Sequence, residues 1–331
     1  MEDAHAKMKD EQTKAQEGRT NSPGRQTKAH SLDYADLDHV GEGVCCHSLD
    51  HAGEDVHHHH SHATTSRHAH GHHLLQIEDL SIGFERYEEA GGWSSKRTFM
   101  KVIDKLNLSV HEGEIVAIVG ASGSGKTLLA DAIMGLYEPN SLVSGTMYFD
   151  GELQTPKTLQ AHRGQEIAFV PQSVKSLNPL MKVGRQIGGD AERRRELFAH
   201  YRLDPEVEDM YPFELSGGMA RRVLLCTALV SDPKLIIADE PTPGLDLKLA
   251  VKAMGDFREF ADRGGGVLLI THDIELALSV ADRVAVFKDG TVVEETAVAN
   301  FASPEMLAHP FSRQLWHALP EHDFALGEEG E

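Results

Sequence analysis

Gly120-Ala121-Ser122-Gly123-Ser124-Gly125-Lys126-Thr127 follows the β-branched run Glu114-Ile-Val-Ala-Ile-Val119 and leads into the helix-forming Leu128-Leu-Ala-Asp-Ala-Ile-Met134. The order is strand, glycine loop, helix. The spacing G-x-x-x-x-G-K-T needs glycines so that successive backbone N–H groups can turn inward around phosphate oxygens without Cβ clashes. A helix N-terminus adds its dipole at the same place. Lys126 then sets a point charge on the β- and γ-phosphates, and the Thr127 hydroxyl ligates the Mg²⁺ that accompanies them. Residues 120 to 128 are therefore the candidate cradle for a nucleoside triphosphate, with Leu128 starting the helix. The motif implies a nucleoside triphosphate and leaves the task open, because kinases, GTPases and motors share it.

Composition narrows the task. The 331 residues are 40% apolar, enough for a sizeable core, and carry a net charge of −20. That charge argues against a protein that grips a nucleic-acid backbone, which takes a basic surface. No apolar run reaches the roughly 18 residues of a membrane span, and no charged-then-apolar N-terminal pattern marks a secretory signal, so the expectation is a soluble chain. Cys45, Cys46 and Cys226 form no disulfide framework and suit a reducing compartment.

Residues 1–73 have almost no apolar periodicity and are rich in Asp, Glu, Ser, Gly and His, a composition that predicts disorder. Histidines concentrate at His57-His-His-His60-Ser-His62 and His68-Ala-His70-Gly-His72-His73. Neutral imidazole binds Ni²⁺, Cu²⁺ and Zn²⁺, so such a tract can chelate them without a preformed site. Drifted low-complexity sequence is the other reading, and the scattered internal placement argues against an expression tag.

From Leu74 the pattern alternates as a half-buried strand to Phe84. Glu85 to Lys96 reads as a hairpin loop and Phe99 to Val110 as the returning strand. Phe84 either stacks on an adenine face or packs in the core. Glu166-Ile-Ala-Phe-Val170 reads as a buried strand closed by Pro171 and followed by Gln172. Residues 173–230 read as a helical insertion, with helices over Val183 to Arg202 and Gly217 to Val230, in which Arg193-Arg-Arg195 forms a solvated face. Within it, Ser216 can N-cap the helix that begins Gly217-Gly218-Met219, and the two glycines leave backbone bare for an anion. Lys234-Leu-Ile-Ile-Ala-Asp239-Glu240-Pro241 is a buried strand ending in two carboxylates, where a parallel α/β sheet holds its ligand. A helix near Asp246 to Ala261, the strand Gly266 to Thr271, and His272 follow. Asp289-Gly290 signals a type I′ turn between two strands.

Together these pieces resemble the ATP-binding subunit of ATP-binding-cassette transporters, from about Leu74 onward. The glycine loop, Gln172, Leu215-Ser-Gly-Gly218, Asp239-Glu240, Asp246 and His272 occur in that family's order. Ser176-Leu-Asn-Pro-Leu180 and His309-Pro-Phe-Ser-Arg313 resemble the peptide and nickel importer branch. The resemblance implies an α/β P-loop nucleotide-binding domain over 74–298, with an antiparallel β layer, a helical subdomain at about 173–230, and a C-terminal extension over 299–331. It implies that Thr127, Gln172 and Asp239 place Mg²⁺, that Glu240 polarises the attacking water, and that His272 reaches the γ-phosphate. It also implies a dimer in which ATP lies between one glycine loop and the partner's Ser216-Gly217-Gly218, with Asp246 beside it. Separate transmembrane permease subunits, an extracytoplasmic solute-binding protein and a peripheral position on the cytoplasmic face of the inner membrane follow. The expected role is energy coupling for import of nickel, a metal chelate or peptides. The alternatives are a peptide importer with no metal role and a soluble cassette ATPase of translation or DNA repair. Met219 stands where many cassettes have glutamine, and the segment before Asp246 reads Thr-Pro-Gly-Leu. With no cysteine after Cys226, no iron–sulfur site is expected.

Overall fold

The run before the glycine loop becomes β3 (Ile115–Gly120), central in a six-stranded sheet. Its companions are β6 (Ile167–Val170), β7 (Leu235–Asp239), β8 (Gly266–Ile270), β9 (Arg283–Lys288) and β10 (Thr291–Ala297), in the order β10-β9-β3-β8-β7-β6. All pairs are parallel except the β9–β10 hairpin. Its turn has Asp289 at φ 48° and Gly290 at φ 83°, the two positive values that a type I′ turn requires. The computed structural model describes residues 72–89, 95–121 and 123–319. The tail before residue 72, Gly91-Gly92, Ser122 and the acidic end of the chain lie outside the described residues.

The parallel strands are apolar throughout because both faces are covered. Ile115, Ala117, Val119, Ile236, Ala238, Val267 and Leu269 share a core with α3 (Val183–Ile187), α4 (Ala191–His200) and α5 (Gly217–Leu229). The intervening residues Val116, Ile118, Ile237, Leu268 and Ile270 face the other way. There they meet α1 (Lys126–Ile133) and a four-stranded antiparallel sheet of β1 (His73–Glu89), β2 (Ser95–His111), β4 (Ser141–Phe149) and β5 (Glu152–Leu153). The inserted helices thus continue the main core.

Two local expectations change. The hairpin loop read at 85–96 is shorter, since backbone pairing runs on from Glu85↔Phe99 to Glu89↔Ser95. Apolar alternation is the strand signal in sequence, and a backbone ladder does not need it. The helix read over Val183 to Arg202 is two helices, because Gly188 and Gly189 take φ 73° and 63° and Asp190 then N-caps α4, accepting from Arg193 N at 2.8 Å. Within Arg193-Arg-Arg195 the middle residue is not simply solvated. Arg194 donates to Glu208 and to the carbonyls of Gly188 and Gly189, closing that break. The remaining described helices are α2 (Pro156–His162), α6 (Leu247–Asp262), α7 (Ile274–Val280) and α8 (Pro310–His317).

The two layers are joined at the N-terminal edge of the parallel sheet by Glu114, which is 1% exposed. Its carboxylate accepts from Arg283 Nε at 2.5 Å and Nη2 at 3.0 Å, from His111 N at 2.9 Å, and meets His111 Nδ1 at 2.8 Å. Arg283 also pairs with Glu295 and donates to the Ser109 carbonyl. Burial alone would raise the Glu114 carboxyl, but the hydrogen bonds from His111 and Arg283 prevail and bring it down from 4.5 to about 2. A carboxyl lowered on folding stabilises the fold fully above its ordinary value of 4.5, and that contribution drains away as pH falls toward 2. At neutral pH, Glu114→Gln should therefore lower unfolding free energy by about 3 kcal/mol, because it leaves the Arg283 charge underpaired. Urea denaturation without nucleotide measures this, and an unchanged midpoint would show that the network does not hold the layers together.

Candidate active site

Parallel register decides which side chains meet. Ile118 pairs with Ile270, Ile270 with Asp239, and Val170 with Ala238, so β3, β8, β7 and β6 end at one edge. The next residues of each strand, at the glycine loop, Thr271-His272, Glu240 and Pro171-Gln172, emerge there together. Crevices at the carboxyl edge of such sheets are where α/β proteins bind ligands.

The loop itself is shaped by close approach. A Cβ on Gly120 would fall 2.1 Å from the Phe287 carbonyl oxygen. Gly125, at φ 108°, starts α1 from a left-handed conformation beside Val102 and Ile103. Lys126 is buried and folds back over the loop, donating from Nζ to the Gly120 and Ala121 carbonyls at 2.9 and 2.8 Å. Burial lowers its pKa, with the charges of Glu240 and Asp239 pulling the other way. Ala121, Gly123 and Thr127 are exposed, while Ser124 and Leu128 are half-buried. The Ser124 hydroxyl is a buried group without a hydrogen-bond partner. Ser122 lies outside the described residues.

Asp239 ends β7 at 1% exposure, with neither carboxylate oxygen in a well-formed hydrogen bond. Burial pushes its carboxyl up to about 6, helped by the Glu240 charge and opposed by the Thr127 hydroxyl. Glu240 follows at φ 48°, a left-handed conformation that costs a non-glycine residue about 1–3 kcal/mol. The turn is held by Glu240 N donating to the Ile270 carbonyl at 2.8 Å. It aims the carboxylate at His272, whose Nδ1 lies 2.8 Å from Oε2, with the Thr271 hydroxyl donating to the same oxygen at 3.4 Å. The Glu240 side chain is 9% exposed and that of His272 68%, so the pair runs from the interior to the surface of the crevice.

Other expected residues are placed less directly. Gln172 is exposed, and its backbone rather than its side chain is fixed, by Arg221. The buried Arg221 donates to the Pro171 carbonyl at 2.8 Å and the Gln172 carbonyl at 2.5 Å. Sequence reading missed this arginine; its position one helical turn after Gly217-Gly218 was the available signal. Ser216 N-caps α5, accepting from Met219 N at 3.2 Å, and Ser216 and Gly217 are exposed. A Cβ on Gly218 would come within 3.1 Å of the Gly244 carbonyl oxygen, which ties the start of α5 to the segment before Asp246. Asp246 N-caps α6 through Leu249 N at 3.0 Å. Phe84 is half-buried inside β1, opposite Met100 and Ser141, so it is a mid-strand residue rather than a strand end.

Comparison with known proteins places the chain among relatives of one family. The ABC transporter family model matches residues 103–243. An oligopeptide transport ATP-binding protein of Lactococcus lactis is 37% identical over 275 residues, covering 75% of this chain and 76% of the relative. A dipeptide transport ATP-binding protein of Haemophilus influenzae is 36% identical over 276 residues, covering 77% and 79%. Among solved structures, a dimeric post-hydrolysis ATP-binding cassette bound to ADP and phosphate is 27% identical, with a TM-score of 0.57, covering 68% of this chain and 99% of that one. The structure of an ATP-binding subunit of an ABC transporter, 22% identical with a TM-score of 0.57, agrees in fold.

A buried carboxylate whose oxygens lack partners fits a hard cation. Raised to about 6, Asp239 is mostly ionised at neutral pH, so above that value the folded state carries the full burden of the buried charge. Asp239→Asn should therefore stabilise the nucleotide-free protein by about 1–2 kcal/mol while abolishing turnover. Thermal unfolding and phosphate release read the two effects; a destabilised variant would show that the carboxylate has protein partners after all.

Proposed function

The chain belongs to the ATP-binding subunits of ATP-binding-cassette transporters, in the peptide and nickel importer branch, and from that premise we propose that its hydrolysis of ATP drives the import of peptides. The names of its relatives support peptides as cargo. The Glu240–His272 pair at the carboxyl edge of the parallel sheet is the observation that carries the catalytic reading.

In this reading the glycine loop, residues 120–127, wraps the phosphates, and Lys126 exchanges its two loop carbonyls for β- and γ-phosphate oxygens. Glu240 accepts a proton from the attacking water or polarises it, and His272, whose Nδ1 lies against Glu240, reaches the γ-phosphate. Thr127, Asp239 and Gln172 are the residues that would hold Mg²⁺, which would supply positive charge beside the phosphates. Arg221 keeps the Gln172 segment in place from the start of α5. Phe84 offers a ring face to adenine.

Ser216 and Gly217 are exposed and Gly218 half-buried at a helix N-terminus with an N-cap, where a group that serves the γ-phosphate of a partner's nucleotide would sit. Dimerisation with an identical or related cassette completes each site, and Asp246 lies in the segment joining the two. Transmembrane permease chains supply the pore. Among the described residues no helix is long and apolar enough to cross a membrane, which supports a peripheral position at the cytoplasmic face, with an extracytoplasmic solute-binding protein serving the permeases.

The Lys126 and Glu240 substitutions separate binding from chemistry. Glu240→Gln should hold ATP and accumulate as a closed dimer in sedimentation, with hydrolysis lost. Lys126→Ala should weaken ATP binding by about 1.5–3 kcal/mol, the value of a charge-assisted contact. Wild-type hydrolysis by Glu240→Gln would remove that residue from the chemistry.

The histidine-rich residues 1–73 support a second reading, that the chain also binds Ni²⁺ or Zn²⁺. Isothermal titration of the full chain should then show several ions bound at micromolar or tighter affinity. Millimolar binding would leave peptide import without a metal role.

A further inference from the structure

His73 opens β1 and His111 closes β2, and the two are directly paired across the antiparallel ladder. Directly opposite residues send their side chains to the same face. Accordingly the two imidazole rings meet, with centroids 4.3 Å apart and planes inclined by 43°.

His111 is not oriented by ring packing alone. Its Nδ1 lies 2.8 Å from Oε2 of Glu114, the same oxygen that accepts the His111 backbone N–H at 2.9 Å. That carboxylate is buried and doubly held by Arg283. An ionised carboxylate only accepts, so Nδ1 is the donor of this contact and Nε2 is the ring nitrogen it leaves unengaged. A carboxylate fixing Nδ1 while Nε2 coordinates is how proteins present imidazole to a metal. His73, beside it, is exposed.

An ion shared by the two rings would set their separation. With metal–nitrogen bonds of about 2.1 Å and ligand angles of about 90–110°, two imidazoles on one ion have centroids roughly 4.5–5.5 Å apart. The observed 4.3 Å lies just below that range, so binding would require the exposed His73 ring to turn away from His111. His72, next in the chain, does not join them, because its Nε2 is 2.7 Å from Asp150 Oδ1.

We propose that His73 and His111 form a two-histidine binding site for a divalent transition metal of the Zn²⁺ or Ni²⁺ class, with water in the remaining positions. Among the described residues no group of three His, Cys, Asp or Glu side chains could hold an ion, so this is an open, exchangeable site rather than a closed structural one. The Arg283 charge nearby is balanced by Glu114 and Glu295. Glu114 directly precedes β3, whereas the glycine loop follows it. The six residues of that strand put the two sites roughly 20 Å apart. The metal would therefore be held at the far edge of the sheet from ATP, and the site does not depend on the upstream histidines.

The test uses the full chain with every histidine before His72 changed to Asn, titrated with Zn²⁺ by calorimetry and with Co²⁺ by its visible absorption. One ion per chain is expected, with affinity reduced at least tenfold by adding His73→Ala and with ATP hydrolysis unchanged. His73 is the residue to vary because it is exposed, whereas changing His111 disturbs the Glu114 network. Equal Zn²⁺ affinity with and without His73→Ala would overturn the site. If the unaltered chain binds Zn²⁺ and the Asn-substituted chain does not, the upstream tract binds metal and this pair does not. If the Asn-substituted chain keeps the full stoichiometry of the unaltered one, the pair stands and the tract reading falls.

Discussion

Parallel pairing of β3, β8 and β7 in one register is the constraint on which the site depends. Ile118, Ile270 and Asp239 lie abreast, so three separate strands expose their following residues along one edge. A one-residue slip would reverse every side chain on the slipped strand, sending Ile236 and Ala238 to the wrong core and the Asp239 carboxylate to the other face. Two apolar layers oppose that slip. Both faces of the sheet are covered, and alternate residues of each strand belong to different cores. Hydrophobic burial far from the chemistry thereby sets the position of charged groups to within hydrogen-bonding tolerance.

What the sequence made legible was whatever depends on consecutive residues. The glycine loop, the apolar run ending in Asp239-Glu240, the Ser216 cap and the Asp289-Gly290 turn are each a local backbone requirement written in residue type. The extension of β1 to Glu89 was not legible, since residues 85–89 carry no apolar alternation and a backbone ladder does not need one. The break at Gly188-Gly189 was available in sequence, but a glycine pair within a helical pattern does not say by itself that both residues take positive φ. Contacts between distant segments were beyond reach. Arg283 meets Glu114 across 169 positions, and Arg221 meets Gln172 across 49; either arginine could equally have faced water.

Arg221 shows what a missed residue can contribute. Its guanidinium holds two carbonyls at the end of β6 while its helix begins at the Ser216-Gly217-Gly218 cap. Burial lowers its pKa, with the charges of Asp239 and Glu240 opposing that shift, so the same cation senses both carboxylates. The Gln172 segment and the start of α5 are therefore linked through one side chain, and displacement of either end is felt at the other. A lysine there could not reach both carbonyls with a planar fork.

The two edges of the parallel sheet treat buried carboxylates in opposite ways. At the N-terminal edge, Glu114 is saturated by Arg283 and His111 and its carboxyl falls to about 2. At the carboxyl edge, Asp239 is equally buried, has no well-formed hydrogen bond, and rises to about 6, while Glu240 beside it sits on a left-handed backbone. The first arrangement stabilises the fold. The second spends stability, and only a positively charged ligand can return it. In the proposed reading an ion brought in with nucleotide would supply that charge, and affinity for the metal–nucleotide complex would then draw on the unfavourable burial of Asp239. The saturated network at the opposite edge is what allows the fold to sustain it.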